Sequence, residues 1–430
     1  MFVTGGYTES VSSPLPTTAL VLSGGVACGA YAVGVVQAIV EILGLSPSDR
    51  SPFQIFSGTS VGSINAAFMA ANAHRGDLGV FRLREVWSLL EVNSHLQMRG
   101  QTQYLKGLST KWFSHALLDA RALEQLVRFN VAFEQLHENV QSGLLKAVMV
   151  AAFNIGTAQT TIFTETASEA QVRATRDPTR REWLGPLRLE HILASSAMPF
   201  VFPARKIDSQ YYCDGGLRFN TPISPAIRAG ADRLVVISLK HPTESLAAER
   251  HINEYPSVPL LAGRLLNALL IDPFEYDLEV LERFNRLTQS LEEALPREQL
   301  ERVYDVMRET RGAPYRHLDK LVFSPSEDLG KLANEHLREH LASYKLGALP
   351  RFFLKKAATK EATWEADWAA YLLFDGIYAS KLIELGLRDA YAKRREILEF
   401  FGLLRSVRPP PVSGVPQRPV SLREDIDETA

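Results

Sequence analysis

Gly58-Thr59-Ser60-Val61-Gly62 is a G-x-S-x-G pentapeptide between an apolar run, Phe53-Gln54-Ile55-Phe56, and a small-residue helical stretch, Ser63 to Ala73. Strand, sharp turn and helix in that order make a nucleophile elbow, with Gly58 and Gly62 letting strand and helix approach and Ser60 pushed out at the tip. The helix start behind Ser60 favours negative charge where an acyl-transfer intermediate develops it. A serine hydroxyl is a poor nucleophile until a base takes its proton. The candidate base is Asp214, which ends the run Tyr211-Tyr212-Cys213 and opens the turn Asp214-Gly215-Gly216. Alone, such a turn reads as a solvated aspartate; beside a serine elbow it reads as a carboxylate aimed into a cleft.

A third element is Ser23-Gly24-Gly25-Val26-Ala27-Cys28-Gly29-Ala30, set between a strand and a helix. Such a turn presents backbone N–H groups to an oxyanion or a phosphate. Ala30-Tyr31 follow Gly29 where a P-loop needs Lys and Ser/Thr, and Val26 stands where a dinucleotide fingerprint needs glycine, so both nucleotide readings fail. An oxyanion hole built from the amides of Gly24, Gly25, Val26, Ala27 and Gly29 is the best use of the turn.

These residues need a scaffold of strands ending at one edge. Thr18 to Leu22 reads as a buried strand and Ala30 to Leu43 as a helix apolar on nearly every side. Phe53 to Ser57 is the second strand, so the order strand–helix–strand–helix implies parallel pairing. Further strands are expected at Ala147 to Asn154, Gln159 to Thr164, Tyr211 to Cys213, Arg233 to Leu239 and Lys320 to Ser324. Helices are expected at Arg82 to Val92, Ala120 to Phe129 and Leu189 to Ser195. Asp277 to Arg311 reads as helical with a break near Pro296, and Thr363 to Phe401 as helical with a break near Gly386.

The 430 residues are 46% hydrophobic and 22% charged with a formal net charge of -2, an ordinary globular balance without the electrostatic footprint of a nucleic-acid binder. Two cysteines, Cys28 and Cys213, exclude a disulfide scaffold and fit a reducing compartment. Both read as buried small residues, and a bond between them is not expected. No Cys/His cluster has zinc spacing and no acidic loop has calcium spacing, so neither metal nor cofactor is expected. No signal peptide is read at the N-terminus, and no apolar run approaches the roughly 20 residues that span a bilayer. The expected location is cytoplasmic, with peripheral membrane contact open.

Together the Gly-rich turn, the G-x-S-x-G, the block Ala194-Ser195-Ser196-Ala197-Met198-Pro199 with Val201-Phe202-Pro203, and Asp214-Gly215-Gly216-Leu217 with Asn220-Thr221-Pro222 resemble the patatin-like phospholipase family from about Thr17 to Leu239. The resemblance implies a three-layer α/β/α fold with a mostly parallel central sheet and additional C-terminal helices. It implies a Ser–Asp dyad, Ser60 as nucleophile and Asp214 as base, cleaving acyl esters of phospholipids, lysophospholipids or acylglycerols at a membrane or micelle surface. On this reading residues 1–16 are a loose arm and 17–402 the hydrolase domain, with a helical insertion at about 245–315 and a helical part at about 360–402. Residues 403–430 are a disordered Pro-rich tail. One departure is that Val26 and Cys28 stand where the family usually has a third glycine and a basic residue, which tilts the expected substrate towards less anionic esters.

An ordinary aspartate, with a pKa of about 3.9, is a weak base for a serine. It serves only if burial raises its basicity, and Tyr211, Tyr212, Leu217 and Phe219 are consistent with such burial. Two competing readings stand beside the dyad: a Ser-His-Asp esterase with His241 or His317 as base, and a catalytically inactive lipid-binding protein. His191, nearest the motifs along with His241, reads as structural. Leu260 to Ile271 reads as a buried core helix, Trp364, Trp368 and Tyr371 as a core stripe, and Arg173, Arg176, Arg180 and Arg181 as a solvated basic loop.

Overall fold

The computed structural model describes residues 16–91, 120–167, 172, 175–199, 201–241, 273–311, 317–344 and 373–404. The strands are β1 (Thr18–Leu22), β2 (Ile55–Thr59), β3 (Ala147–Asn154), β4 (Gln159–Thr166), β5 (Arg180–Leu184), β6 (Arg205–Ile207), β7 (Gln210–Asp214), β8 (Arg233–Ile237) and β9 (Asp319–Phe323). The helices are α1 (Ala30–Leu43), α2 (Val61–Ala71), α3 (Val80–Ser88), α4 (Arg121–Asn130), α5 (Phe133–Gln141), α6 (Leu189–Ser195), α7 (Ile223–Arg228), α8 (Pro273–Ala294), α9 (Arg297–Arg311), α10 (Leu329–His340), α11 (Gly376–Ala392) and α12 (Arg394–Phe400).

One sheet runs in the order β5-β4-β3-β2-β1-β8-β9. The central pairings, β3 with β2, β2 with β1, β1 with β8 and β8 with β9, are all parallel. The β3–β4 pair and the small β6–β7 hairpin are antiparallel. Alternation along each strand divides its side chains between two cores. Leu20, Leu22, Phe56, Val148, Val150 and Val235 face one core, completed by α1 to α6 and α10 to α12. Ala19, Val21, Ile55, Met149, Leu234 and Val236 face the other, where Ile223 and Ala226 of α7 and Leu281 of α8 close it. Strands covered on both faces explain why β1 and β2 read as continuous apolar runs. The fold is a three-layer α/β/α sandwich with a mostly parallel sheet.

Several boundaries differ from the sequence reading. β2 starts and ends two residues later than Phe53 to Ser57, because its pairing with β1 runs to Gly58 and its pairing with β3 to Thr59. The expected break at Gly386 is absent. α11 runs through it, since Gly386 packs against the carbonyl of Tyr31 and Gly34 of α1 against that of Ile383, a reciprocal close crossing that a Cβ would block; the chain turns only at Lys393. Arg180 and Arg181 lie in edge strand β5, not a loop. Arg180 pairs with Asp177 at 3.0 Å and stacks on Phe219. α5, β6, α7 and α10 were not foreseen. Cys28 and Cys213 are both buried and are not disulfide-bonded. The arm up to residue 15, the tail from residue 405, Leu260 to Ile271, Arg173, Trp364, Trp368 and Tyr371 lie outside the described residues, as does the first part of the expected insertion.

Candidate active site

Strand β3 brings the two ends of the motif set together. β2 pairs with β3 as far as Thr59↔Ala151. β7 approaches from the opposite direction and takes the adjoining rung, Asp214↔Ala152. The C-terminal ends of β2 and β7 therefore meet head-on along one strand, and residues 154 positions apart touch. Ser60 Oγ donates to Asp214 Oδ2 at 2.6 Å.

The elbow has no loop. β2 ends at Thr59, α2 begins at Val61, and Ser60 alone makes the reversal with φ 54° and ψ -128°. A non-glycine residue there carries strain of about 1–3 kcal/mol. Burial of one aliphatic side chain, worth about 1.5–3 kcal/mol, is enough to offset it. Gly58 faces the carbonyl of Gly62, and Gly62 faces that of Leu22, so a Cβ at either would push helix and strand apart. The Ser60 backbone is fully engaged. Its N–H donates to Ser195 Oγ at 2.9 Å, and its carbonyl accepts from Ser63 Oγ at 2.6 Å, Ser63 N at 2.9 Å and Ser196 Oγ at 3.2 Å.

Asp214 is 1% exposed. Its second oxygen accepts the Gly216 N–H at 2.8 Å, and Gly215 presses on the carbonyl of Ala151, so the Asp-Gly-Gly turn is a packed half-turn rather than a solvated loop. Burial pushes the carboxyl up to about 7, against the opposing pull of the bonds from Ser60 and Gly216. Its partners are neutral groups that leave the charge uncompensated, which makes this aspartate a far better proton acceptor near neutrality than an exposed one.

The Gly-rich turn lies beside them: a Cβ on Gly24 would come 3.0 Å from Ser60 Cβ. The turn runs into a 3₁₀ helix, Val26–Gly29, ahead of α1. The Gly24 N–H is given to the Asn220 carbonyl at 3.2 Å. Gly29 packs on Val61, and its carbonyl accepts Asn65 Nδ2 at 3.0 Å. The Gly24 amide is thereby taken, while the amides of Gly25, Val26 and Ala27 open the 3₁₀ turn and have no partner within it.

Phe219 to Pro222 form a strap across the ends of β1 and β2. Ser57 Oγ donates to the Pro222 carbonyl at 2.8 Å, and Thr59 Oγ1 to that of Phe219 at 2.9 Å. Ser23 Oγ meets Thr221 Oγ1 at 2.7 Å. The segment that carries Asp214 thus also fastens the Gly-rich turn. Asn220-Thr221-Pro222 was visible in the sequence as a motif, but its hydroxyl partners were not.

A narrow apolar cleft, partly open to solvent, leads from Ser60 between α2, α3 and α4. Ile64, Trp87, Leu90, Leu123, Phe202 and Phe374 wall it, and among the described residues its polar lining is Ser60 and Ser196. Among the described residues, no hydrogen bond of Ser60 goes to a histidine. His241 Nε2 lies 3.3 Å from the Ser326 carbonyl, and His317 Nε2 lies 3.5 Å from Asp319. His191 is stacked on Phe163 with its ring centroid 4.3 Å away, and burial pushes its pKa down to about 3. Among the described residues no group of three or more His, Cys, Asp or Glu is arranged to hold a metal ion, and no helix is long and apolar enough to cross a membrane.

Residues 20–227, which include the elbow, the Gly-rich turn, Asp214 and the strap, match the family model described as patatin-like phospholipase. No curated protein matches the sequence. Among solved structures, the crystal structure of VipD from Legionella pneumophila aligns with 87% of this chain and 92% of its own at 14% identity, with a TM-score of 0.29. That overall likeness is too low to carry an argument about fold or chemistry.

Proposed function

From a chain whose residues 20–227 are a patatin-like phospholipase domain, we propose a lipid acyl hydrolase that cleaves carboxylic esters through a Ser60 acyl-enzyme with Asp214 as general base. The observation that carries the reading is the 2.6 Å hydrogen bond from Ser60 Oγ to a buried carboxylate at the mouth of an apolar cleft. The acyl chain lies along Ile64, Trp87 and Phe374, with the ester carbonyl over Ser60 and the headgroup towards solvent. Ser60 Oγ attacks the carbonyl carbon as its proton passes to Asp214 Oδ2. The oxyanion draws on the amides of Gly25, Val26 and Ala27. Collapse of the tetrahedral intermediate breaks the ester C–O bond, and Asp214 returns the proton to the leaving alcohol. Water then attacks the acyl-enzyme, gives a proton to Asp214, and the fatty acid departs as Ser60 recovers its hydrogen. Phospholipid, lysophospholipid and acylglycerol esters at a membrane or micelle surface all fit this path.

The test is covalent labelling. A fluorophosphonate probe modifies the wild-type chain at one site, mapped to Ser60 by peptide mass. Ser60→Ala takes no label and hydrolyses no long-chain ester. Undiminished labelling or turnover in Ser60→Ala overturns the proposal.

A further inference from the structure

The segment Ser195-Ser196-Ala197, where α6 ends, touches both members of the dyad. β2 leaves the sheet at Ser60, so its ladder with β3 stops one residue short. Ser195 Oγ fills that gap. It accepts the Ser60 N–H at 2.9 Å and donates to the Ala151 carbonyl at 2.7 Å. A hydroxyl has a single proton, and giving it to Ala151 leaves only lone pairs for Ser60, so the polarity of the bridge is fixed. Ser195 is fully buried, and no water competes for either contact. Two residues on, the Ala197 carbonyl accepts the Asp214 N–H at 2.9 Å. Ser60 and Asp214 are thus held by the same short stretch of chain as well as by adjoining rungs of β3.

We propose that Ser195 is a positioning residue that sets the reach of Ser60 Oγ to Asp214 by splicing the elbow to β3 through its hydroxyl. The proposal rests on the reading of Ser60 and Asp214 as the reacting pair. Ser195 touches neither substrate nor the reacting oxygen; it acts through the Ser60 amide. Nothing else among the described contacts takes that N–H. Without Ser195 Oγ the reversed conformation at Ser60 loses its tether on the sheet side, while the carbonyl keeps its bonds from Ser63 Oγ and Ser63 N. The elbow then pivots about its helix side and Oγ drifts from Asp214. Misplacement on the order of 1 Å at a reacting atom costs about a hundredfold in rate.

The experiment uses the full chain, a long-chain p-nitrophenyl ester in detergent micelles, and titration of Ser60 by fluorophosphonate so that kcat is counted per active site. Ser195→Ala is expected to lower kcat roughly ten- to a hundredfold, with KM unchanged within about twofold. A second readout separates positioning from folding. The bond from Ser60 holds the Asp214 pKa down, so weakening it moves the acid limb of kcat/KM to higher pH. Ser195→Cys keeps a weak donor and acceptor at the same place and falls between wild type and Ser195→Ala on both readouts; it stands in for Ser195→Ala if that chain does not fold. The proposal is overturned if a folded variant keeps kcat and its acid limb, or loses only thermal stability. If Ser60→Ala remains active, the hydrolase reading itself falls; if Ser60→Ala is dead and Ser195→Ala unimpaired, only the role of Ser195 does.

Discussion

Asp214 and Asp375 are both buried aspartates that cap a helical turn, and they end in opposite electrostatic states. Asp375 caps α11, its Oδ1 accepting from Ile377 N at 3.0 Å and Tyr378 N at 2.9 Å. His336 Nε2 lies 3.1 Å from the same oxygen and 2.8 Å from the Tyr344 hydroxyl. Burial pushes the Asp375 carboxyl up, but the bonds from His336, the Tyr378 amide and Tyr344 outweigh it and hold the pKa below the ordinary value. Asp214 has a hydroxyl and one amide in place of that set, and burial wins. The same side chain is a settled structural anion in one region and a proton acceptor in the other. The difference lies in whether a neighbour that can carry positive charge came with it.

Exchange of each carboxylate separates the two roles. Asp214→Asn keeps the shape and the acceptor for Gly216 but removes the proposed base, and kcat is expected to fall by at least about a thousandfold, in the range seen for members of catalytic triads. Asp375→Ala removes the cap and strips His336 and Tyr344 of their acceptor. It is expected to lower stability by about 1–3 kcal/mol while kcat per folded site stays within about twofold. Chemical denaturation and burst-titrated ester hydrolysis on both variants check this. Comparable losses of kcat in the two would erase the distinction.

Proton linkage sharpens it. The folded pKa of Asp214 is raised, so its anion costs stability, a penalty absent below the unfolded value of about 3.9 and complete above about 7. The folded pKa of Asp375 is lowered, so its contribution is present above the unfolded value and lost as pH falls through the folded one. Activity that needs the Asp214 anion should therefore fade as pH drops through about 7. Over the same interval the stability advantage of Asp214→Asn over wild type should shrink to nothing by about pH 4. Melting curves across that range, with kcat/KM measured in parallel, test both. An acid limb near pH 4 would mean that Asp214 is not held up by burial.

The contrast also marks what the sequence could show. β1 and α1 were readable to the residue, because runs apolar on every side and cut by glycines leave little choice of boundary. Ser60 and Asp214 were readable as residue types at punctuated positions. Ser195 was readable only as part of a motif, since its work depends on a contact across 135 positions. The ionisation of Asp214 was out of reach for the same reason: depth of burial is a property of packing. Arg180 and Arg181 misled because an edge strand with exposed charges has the composition of a loop. Gly386 misled because a glycine that lets helices cross looks like one that ends a helix.

A third buried polar pair, one that carries no titratable group, is expected to show the smallest dependence on pH. Trp87, in the cleft wall, donates Nε1–H to Asn65 Oδ1 at 3.2 Å, and Asn65 donates onward to the Gly29 carbonyl that closes the Gly-rich turn. Trp87→Phe keeps an aromatic wall but leaves the fully buried Asn65 oxygen without that donor, a loss of about 1–3 kcal/mol in stability. Because the wall stays apolar, KM for a long-chain ester should shift only a few-fold. The informative feature is the pH profile of the stability loss. Neither indole nor amide titrates between pH 5 and 9, so the decrement should be flat across that range, where the stability difference of Asp214→Asn bends; that of Asp375→Ala bends only below about pH 4. A Trp87→Phe loss that varied with pH would mean that this tether is coupled to one of the carboxylates, and that the buried polar groups of this chain act as one network rather than as separately balanced pairs.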